Sequence, residues 1–182
     1  MSLYIVVAHL RKITKKKTKK IDYTERSDIE KILSNWKKVY GLYSRKEWSS
    51  VILRASTSVE LAANFVIRKE LEENRKLDSD FVNHLLRWAN GIQGKFDKLL
   101  LPIFKGDDFS KDLKKLKKKV QDINIERNTI AHSGQFKKES TANRIVLECQ
   151  SVINTLIGKY DSDLDLENIF GKLNTKLKKD KK

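Results

Sequence analysis

The stretch RASTSVELAANFVIRKEL, residues 54 to 71, decides the fold. It belongs to a segment spanning residues 45 to 73, in which apolar side chains recur every three or four residues along two lines. The first line consists of Trp48, Ile52, Ala55, Val59, Ala62 and Val66. The second line has a polar middle and consists of Leu53, Thr57, Glu60, Asn64, Ile67 and Leu71. Because a helix with two such faces packs against more than one neighbour, we predict a central helix.

Segments on both sides of this helix show the same period. Before it, residues 25 to 42 place on one face Ile29, Ile32, Leu33, Trp36 and Tyr40. After it, Asp78 can cap a helix that GIQG ends and that carries Phe81, Leu85 and Trp88. LLLPIF then predicts a short helix or buried turn, broken near Pro102. We interpret the three tryptophans, Trp36, Trp48 and Trp88, as core residues.

Two further helices complete the pattern. One begins near Ser110 and carries Leu113, Leu116, Val120, Ile123, Arg127 and Ile130. The other carries Ala142, Ile145, Val146, Cys149, Val152, Ile153, Leu156 and Tyr160. The sequence thus predicts an all-α fold, a bundle of four to five main helices at residues 25 to 162. A basic lead-in, residues 1 to 24, precedes it, and a basic tail, residues 163 to 182 with a helix at 166 to 177, follows it.

The net charge of +15 is unevenly distributed. Residues 11 to 20 contribute +7, residues 171 to 182 contribute +5 and residues 111 to 119 contribute another +5, so the remainder sums to −2. The third block supplies candidate RNA-binding residues, Lys114, Lys115, Lys117, Lys118 and Lys119. Such blocks attract a phosphate polyanion, although a solvated lysine-rich surface without a partner has the same composition.

The cysteine content and the apolar runs of the sequence predict the cellular compartment. Its one cysteine, Cys149, falls on an apolar helical stripe, so an internal disulfide is ruled out and a core position is expected. The apolar run at residues 3 to 10 is too short to cross a bilayer and lacks a preceding positive charge. The three histidines and one cysteine make no zinc site, and we expect no cofactor. We predict a soluble, cytoplasmic protein without membrane contact.

The segment ERNTIAHSG, residues 126 to 134, carries the candidate chemistry. Arg127 occupies a position on its helical stripe that the pattern would otherwise give to an apolar residue. Burying a guanidinium requires a compensating anion or acceptor. His132 falls where the helix should stop, and Gly134 can adopt the left-handed cap. Arg127, Asn128 and His132 therefore meet near one helix end.

The string RNTIAH, R-N-x-x-x-H, resembles the motif of the HEPN superfamily, helical-bundle domains of prokaryotic toxins, defence systems and RNA-processing enzymes. The resemblance extends over residues 25 to 160, because the long helix after the motif and the earlier helix with the acidic Glu60 also match. It implies metal-independent endoribonuclease activity, in which the RNA 2′-OH attacks the adjacent phosphate. Arg127 would stabilise the negative charge that develops on the phosphate, and His132 would move the proton. Asn128 would orient the imidazole or the phosphate. Glu60 and Thr57 would pair with Arg127, with Asn64 in the same supporting group.

One histidine per site is too few, because the reaction needs both a base and an acid. A twofold homodimer, the arrangement that the resemblance implies, would bring two copies of the motif into one cleft. A toxin or defence role with an antitoxin-type partner protein is a further implication. The alternative is a non-catalytic module that binds RNA or a protein, in which Arg127 pairs with Glu60 and His132 caps carbonyls. His9 and His84 have no comparable neighbours and are expected to be ordinary surface or packing residues.

Overall fold

The computed structural model describes residues 22 to 166, and the predicted tail helix and nearly all of the lead-in lie outside this range. Within it the chain is helical and contains no strand, which confirms the all-α prediction. The long helices are α1 (Asp28–Ser44), α2 (Trp48–Arg68), α6 (Phe109–Ser133) and α7 (Glu139–Gly158). Shorter ones are α3 (Ser79–Trp88), α4 (Gly91–Lys95) and α5 (Leu101–Ile103). Two π-helical turns, Lys69–Asn74 and Phe96–Leu100, extend α2 and α4.

Helix α2 is the centre of the fold, as its two apolar lines predicted. It packs against α1, α4, α6 and α7. Of the first line, all members but the half-buried Trp48 are fully buried. The second line is covered only at Ile67 and Leu71, whereas Leu53, Glu60 and Asn64 are half-buried and Thr57 is exposed. The polar middle of that line therefore lies at the edge of the core.

Helix α1 begins at a capping box. The Ser27 hydroxyl accepts from the Glu30 backbone N–H at 3.2 Å, and the Glu30 carboxylate accepts from the Ser27 N–H at 2.9 Å. The predicted face is right at Ile32 and Trp36 and wrong at Tyr40, which is 42% exposed. Tyr43 is buried instead, and its hydroxyl is 2.8 Å from Asn143 Oδ1 on α7.

The predicted face of α3 is wrong at Phe81 and Trp88, whereas Leu85 is half-buried against the core. Asp78 caps the helix as expected, accepting from two backbone N–H groups, but Phe81 is 52% exposed and Trp88 is 54% exposed. The buried residues are Val82, Leu86 and Ala89. Both sets follow helical spacing one residue apart, so the sequence alone does not select between them. GIQG does not end α3 but opens α4, which brings Lys95 into the core.

Helices α6 and α7 agree closely with their predicted stripes. In α6, the buried residues include Leu113, Leu116, Val120 and Ile123. In α7, every predicted stripe residue from Ala142 to Leu156 is buried. Cys149 is fully buried there, and desolvation raises the pKa of its thiol well above the ordinary value.

One stretch, Trp48–Asn74, is long and apolar enough by composition to cross a bilayer, and no other part of residues 22 to 166 is. Of the most apolar 18-residue window in this stretch, 56% is buried inside the bundle. The core helix of a soluble protein passes the same test, so this stretch is weak evidence for a membrane span.

Substitution of Gly134 tests whether the end of α6 requires a left-handed backbone conformation. Its φ of 62° and ψ of 18° are left-handed, so we expect Gly134→Ala to lower the free energy of unfolding by about 1 kcal/mol. Gly158 is the matched control, because it ends α7 without a positive φ and has open space around its Cα. Gly158→Ala should leave stability unchanged or slightly higher. Urea unfolding measures both variants, and equal losses would contradict a conformational requirement at Gly134.

Candidate functional site

The residues of ERNTIAHSG lie in the last two turns of α6 and the start of the following loop. Arg127 continues the buried stripe of α6 and is half-buried. Its Nη1 donates a 3.0 Å hydrogen bond to Asn128 Oδ1. Among the residues that the structure describes, no carboxylate forms an ion pair with Arg127. The guanidinium charge is therefore uncompensated within this part of the chain.

His132 is exposed in the last turn of α6. It follows Asn128 by four positions, so the two residues share one face of the helix. Arg127 and His132 are five positions apart, which separates them by roughly 140° around the axis. Within residues 22 to 166, no hydrogen bond joins His132 to Arg127 or Asn128. A single protomer thus brings Arg127 and Asn128 together but leaves the imidazole apart.

The loop after His132 is fixed at several points. Gly134 N donates to Ile130 O at 3.2 Å, and Gln135 N donates to Thr129 O at 3.3 Å. Further along, the Lys137 N–H donates to Ser49 Oγ at 2.9 Å. These bonds hold the chain beside the end of α6 rather than letting it leave freely.

Glu126 strengthens the same junction. Its carboxylate lies 2.8 Å from Lys137 Nζ and 3.0 Å from Arg144 Nη2, and its side chain is only 18% exposed. It therefore ties the loop and the first turns of α7 to the residue that precedes Arg127. Sequence reasoning missed this role, because the register between α6 and α7 that places Arg144 opposite Glu126 is a tertiary property.

Glu60 and Thr57 do not pair with Arg127 in the described chain, so that expectation is wrong. Glu60 Oε1 lies 2.9 Å from Lys95 Nζ, and Lys95 is only 4% exposed. The same ammonium donates to Leu86 O at 3.3 Å and to Ala89 O at 3.4 Å. No sequence pattern placed Lys95 inside the core. Because a buried ammonium needs a counter-charge, Lys95 pairs with Glu60, and Glu60 is not paired with Arg127.

Of the other two supporting residues, Thr57 has a hydrogen-bond partner in its own helix, and Asn64 has a buried oxygen without one. The Thr57 hydroxyl donates to Leu53 O at 3.0 Å within its own helix. Asn64 Oδ1 is buried without a hydrogen-bond partner in the described chain. Neither residue is joined by a hydrogen bond to Arg127 in the same part of the structure.

The predicted RNA-binding lysines differ in exposure. Lys119 is half-buried and donates to Ser151 Oγ at 2.7 Å. Lys115 and Lys118 are exposed but lie 2.8 Å and 2.9 Å from Asp112 and Asp122. Lys114 and Lys117 are exposed as well.

One face of α6 carries three of these lysines and two of the three motif residues. By helical rotation, the residues on this face are Lys114, Lys117, Lys118, Gln121, Ile125, Asn128 and His132. Ile125 is 49% exposed in the middle of this surface, and Phe136, in the following loop, is 96% exposed. The helical rise of 1.5 Å per residue separates Lys114 from His132 by roughly 27 Å. Asn128 and His132 therefore lie at the end of a basic face that also carries an exposed apolar side chain, whereas Arg127 lies on another, half-buried side of the helix.

No group of three His, Cys, Asp or Glu side chains in residues 22 to 166 is arranged to hold a metal ion. No protein-family model matches the chain, and no match is found among curated proteins or among solved structures.

The Glu60–Lys95 contact predicts an asymmetric response. Glu60→Gln leaves a buried ammonium without its counter-charge and should cost about 1–3 kcal/mol, whereas Lys95→Met leaves a carboxylate that is 34% exposed and should cost less. In the Lys95→Met background, Glu60→Gln should be nearly neutral. Chemical denaturation of the four proteins gives the coupling energy. An unchanged Glu60→Gln cost in that background would place the partner of Glu60 elsewhere.

Proposed function

We propose that the protein is a metal-independent endoribonuclease of the HEPN type, acting as a homodimer. The observation that carries this proposal is the half-buried Arg127, which meets no described carboxylate and ends the same helix as the exposed His132. A structural arginine would be expected to be neutralised by a nearby carboxylate, as Lys95 is by Glu60. An arginine left uncompensated near the surface is suited to bind a phosphate.

In the proposed reaction the RNA 2′-oxygen attacks the adjacent phosphorus and the bond from phosphorus to the 5′-oxygen breaks. A base takes the proton of the 2′-OH, and an acid gives a proton to the departing 5′-oxygen. The products are a 2′,3′-cyclic phosphate and a 5′-hydroxyl, so atoms and protons balance without a metal or a water. Arg127 stabilises the negative charge on the phosphorus oxygens in the transition state, and removal of one such donor typically costs 100-fold or more.

His132 supplies one proton-transfer group per protomer. As an exposed imidazole in the last turn of a helix, it is accessible to substrate and close to the negative end of the helix dipole. In an in-line displacement the attacking and leaving oxygens lie on opposite sides of the phosphorus, so a single imidazole does not reach both. Two copies related by a twofold axis provide one imidazole as the base and one as the acid. During the reaction the base would gain a proton and the acid would lose one.

The surface around the motif suits such a dimer. Ile125 lies on the same helical face as Asn128 and His132, so pairing of two α6 helices would cover it and bring the two motifs together. Lys114 and Lys117, farther along that face, would then flank the cleft and attract the RNA backbone. Asn128 lies on the same helical face as His132 and accepts a hydrogen bond from Arg127, so it would link the guanidinium to that cleft.

The cleavage prediction compares matched variants. We expect purified protein to cut mixed RNA in EDTA and low salt, leaving cyclic-phosphate ends. His132→Ala should lower the rate about 100- to 10,000-fold, and Arg127→Ala about 100-fold or more. Asn128→Ala should lose less, because it acts through Arg127. His84→Ala and Arg87→Ala, in exposed helical positions on α3, are the controls and should cut normally.

A wild type that binds RNA without cutting it would contradict the enzyme and favour the alternative, a non-catalytic module that binds RNA or a protein partner. One observation favours that alternative: in the described chain, His132 makes no hydrogen bond with Arg127 or Asn128, so the described part of one protomer holds no complete site. A cytoplasmic toxin or defence effector held by an antitoxin-type partner is the biological setting that we propose for the enzyme.

The dimer prediction rests on Ile125. Ile125→Asp should shift the protein from dimer to monomer in sedimentation experiments and lower RNA cleavage per chain in parallel, because a charge cannot be buried in an apolar contact. Tyr40→Asp is the control, since Tyr40 is similarly exposed on α1. A monomeric wild type with full activity would rule out the shared site.

A further inference from the structure

An apolar surface on α3 is largely exposed, although Leu85 packs partly against the core and Lys98 Nζ lies 4.7 Å from the Trp88 ring centroid. Phe81, Leu85 and Trp88 follow one another at helical spacing on one side of the helix, and Leu77 precedes them in the connection from α2. Phe81 and Trp88 are more than half exposed and Leu77 is 38% exposed. We call these four residues the α3 patch. Large apolar side chains clustered on a surface generally mark an interaction site.

We propose that the N-terminal segment LYIVVAHL, residues 3 to 10, docks on the α3 patch of its own chain. Seven of its eight residues are apolar or aromatic, so the segment has the composition of buried structure rather than of a solvated arm. It is also the longest apolar run outside the described bundle.

The start of the bundle lies beside α3. Asp28, in the first turn of α1, has Oδ2 3.9 Å from Arg68 Nε, and Arg68 Nη2 donates to Asn83 Oδ1 at 2.5 Å. Asn83 belongs to α3, between Phe81 and Leu85. Residues 11 to 21 connect the apolar segment to the bundle, and eleven residues span at most about 36–40 Å when extended. The segment can therefore reach the patch.

Charge favours the same placement. The connecting residues 11 to 20 carry seven basic side chains and no acidic one. Residues 70 to 80, which lead into α3 and include Leu77, carry five carboxylates and two basic side chains. Glu73, Asp78 and Asp80 are exposed there. A basic connection that runs to the α3 patch would pass this acidic surface, which attracts it at low ionic strength.

Covalent attachment makes a weak contact sufficient. A covalent connection of this length gives an effective concentration on the order of 1 mM, so a segment with a dissociation constant of ~0.1 mM would be docked about 90% of the time. The C-terminal residues 167 to 182 are the competing occupant from the same chain. The described residues end at Leu166, whose N–H donates to Asn154 Oδ1 on α7 at 3.2 Å.

The experiment measures the exposure of the Trp88 ring in the full chain labelled with 5-fluorotryptophan. The ¹⁹F resonance of Trp88 is assigned with Trp88→Phe, and its broadening by a soluble gadolinium chelate reports solvent access. We expect Val6→Asp to increase that broadening at least about twofold, because the charged segment undocks. The matched control Ile169→Asp, in the C-terminal residues, should leave it unchanged. Val6→Thr, which keeps the size of the side chain, should fall between them.

The remaining outcomes overturn the proposal. Equal broadening of Trp88 in wild type and Val6→Asp would mean that the patch is not covered by residues 3 to 10. An increase only in Ile169→Asp would assign the patch to the C-terminal residues. Protection that disappears on dilution would assign it to a second copy of the chain. Circular dichroism of each variant confirms that the bundle is retained.

Discussion

The close approach of several helices to α2 is the constraint on which the rest of the structure depends. This approach requires small side chains, and α2 provides Ala55, Ser56, Ser58, Ala62 and Ala63, all buried. The serine hydroxyls donate to carbonyls of their own helix, Ser56 to Ile52 and Ser58 to Arg54, so they do not need partners across the interface. Larger residues at these positions would separate α1, α6 and α7 from α2 and open the core.

The same packing explains which polar groups lie inside. Lys95 enters the core because α4 is short and its preceding turn, at the left-handed Gly91, directs the chain back towards α2. Glu60 then lies at the edge of the core, where it faces Lys95 and still contacts solvent. The pair joins α2 to α4 and, through the carbonyls of Leu86 and Ala89, to the end of α3. Arg127, which is only half-buried, has no comparable carboxylate among the residues described, and this difference separates it from the buried Lys95.

Much of the fold could be predicted from the sequence, because the period of apolar residues is strong wherever a helix is long. The stripes of α6 and α7, the cap at Asp78 and the left-handed Gly134 follow from local patterns. The face of α3 could not be predicted, because Phe81 and Trp88 compete with Val82 and Ala89 at equally good spacing. The candidate site, like the fold, could be predicted only in part. The sequence placed Arg127, Asn128 and His132 on one helix end, but the partner of Glu60 depends on which distant residue packs against it.

The fully buried Cys149 gives the protein an internal marker. Its thiol lies in the middle of α7 against α2, and its raised pKa keeps it protonated at neutral pH. An alkylating reagent can reach it only when the bundle opens, so the alkylation rate of the natural chain measures how often the core is exposed. Since the sequence holds no second cysteine, that single rate belongs to one known position.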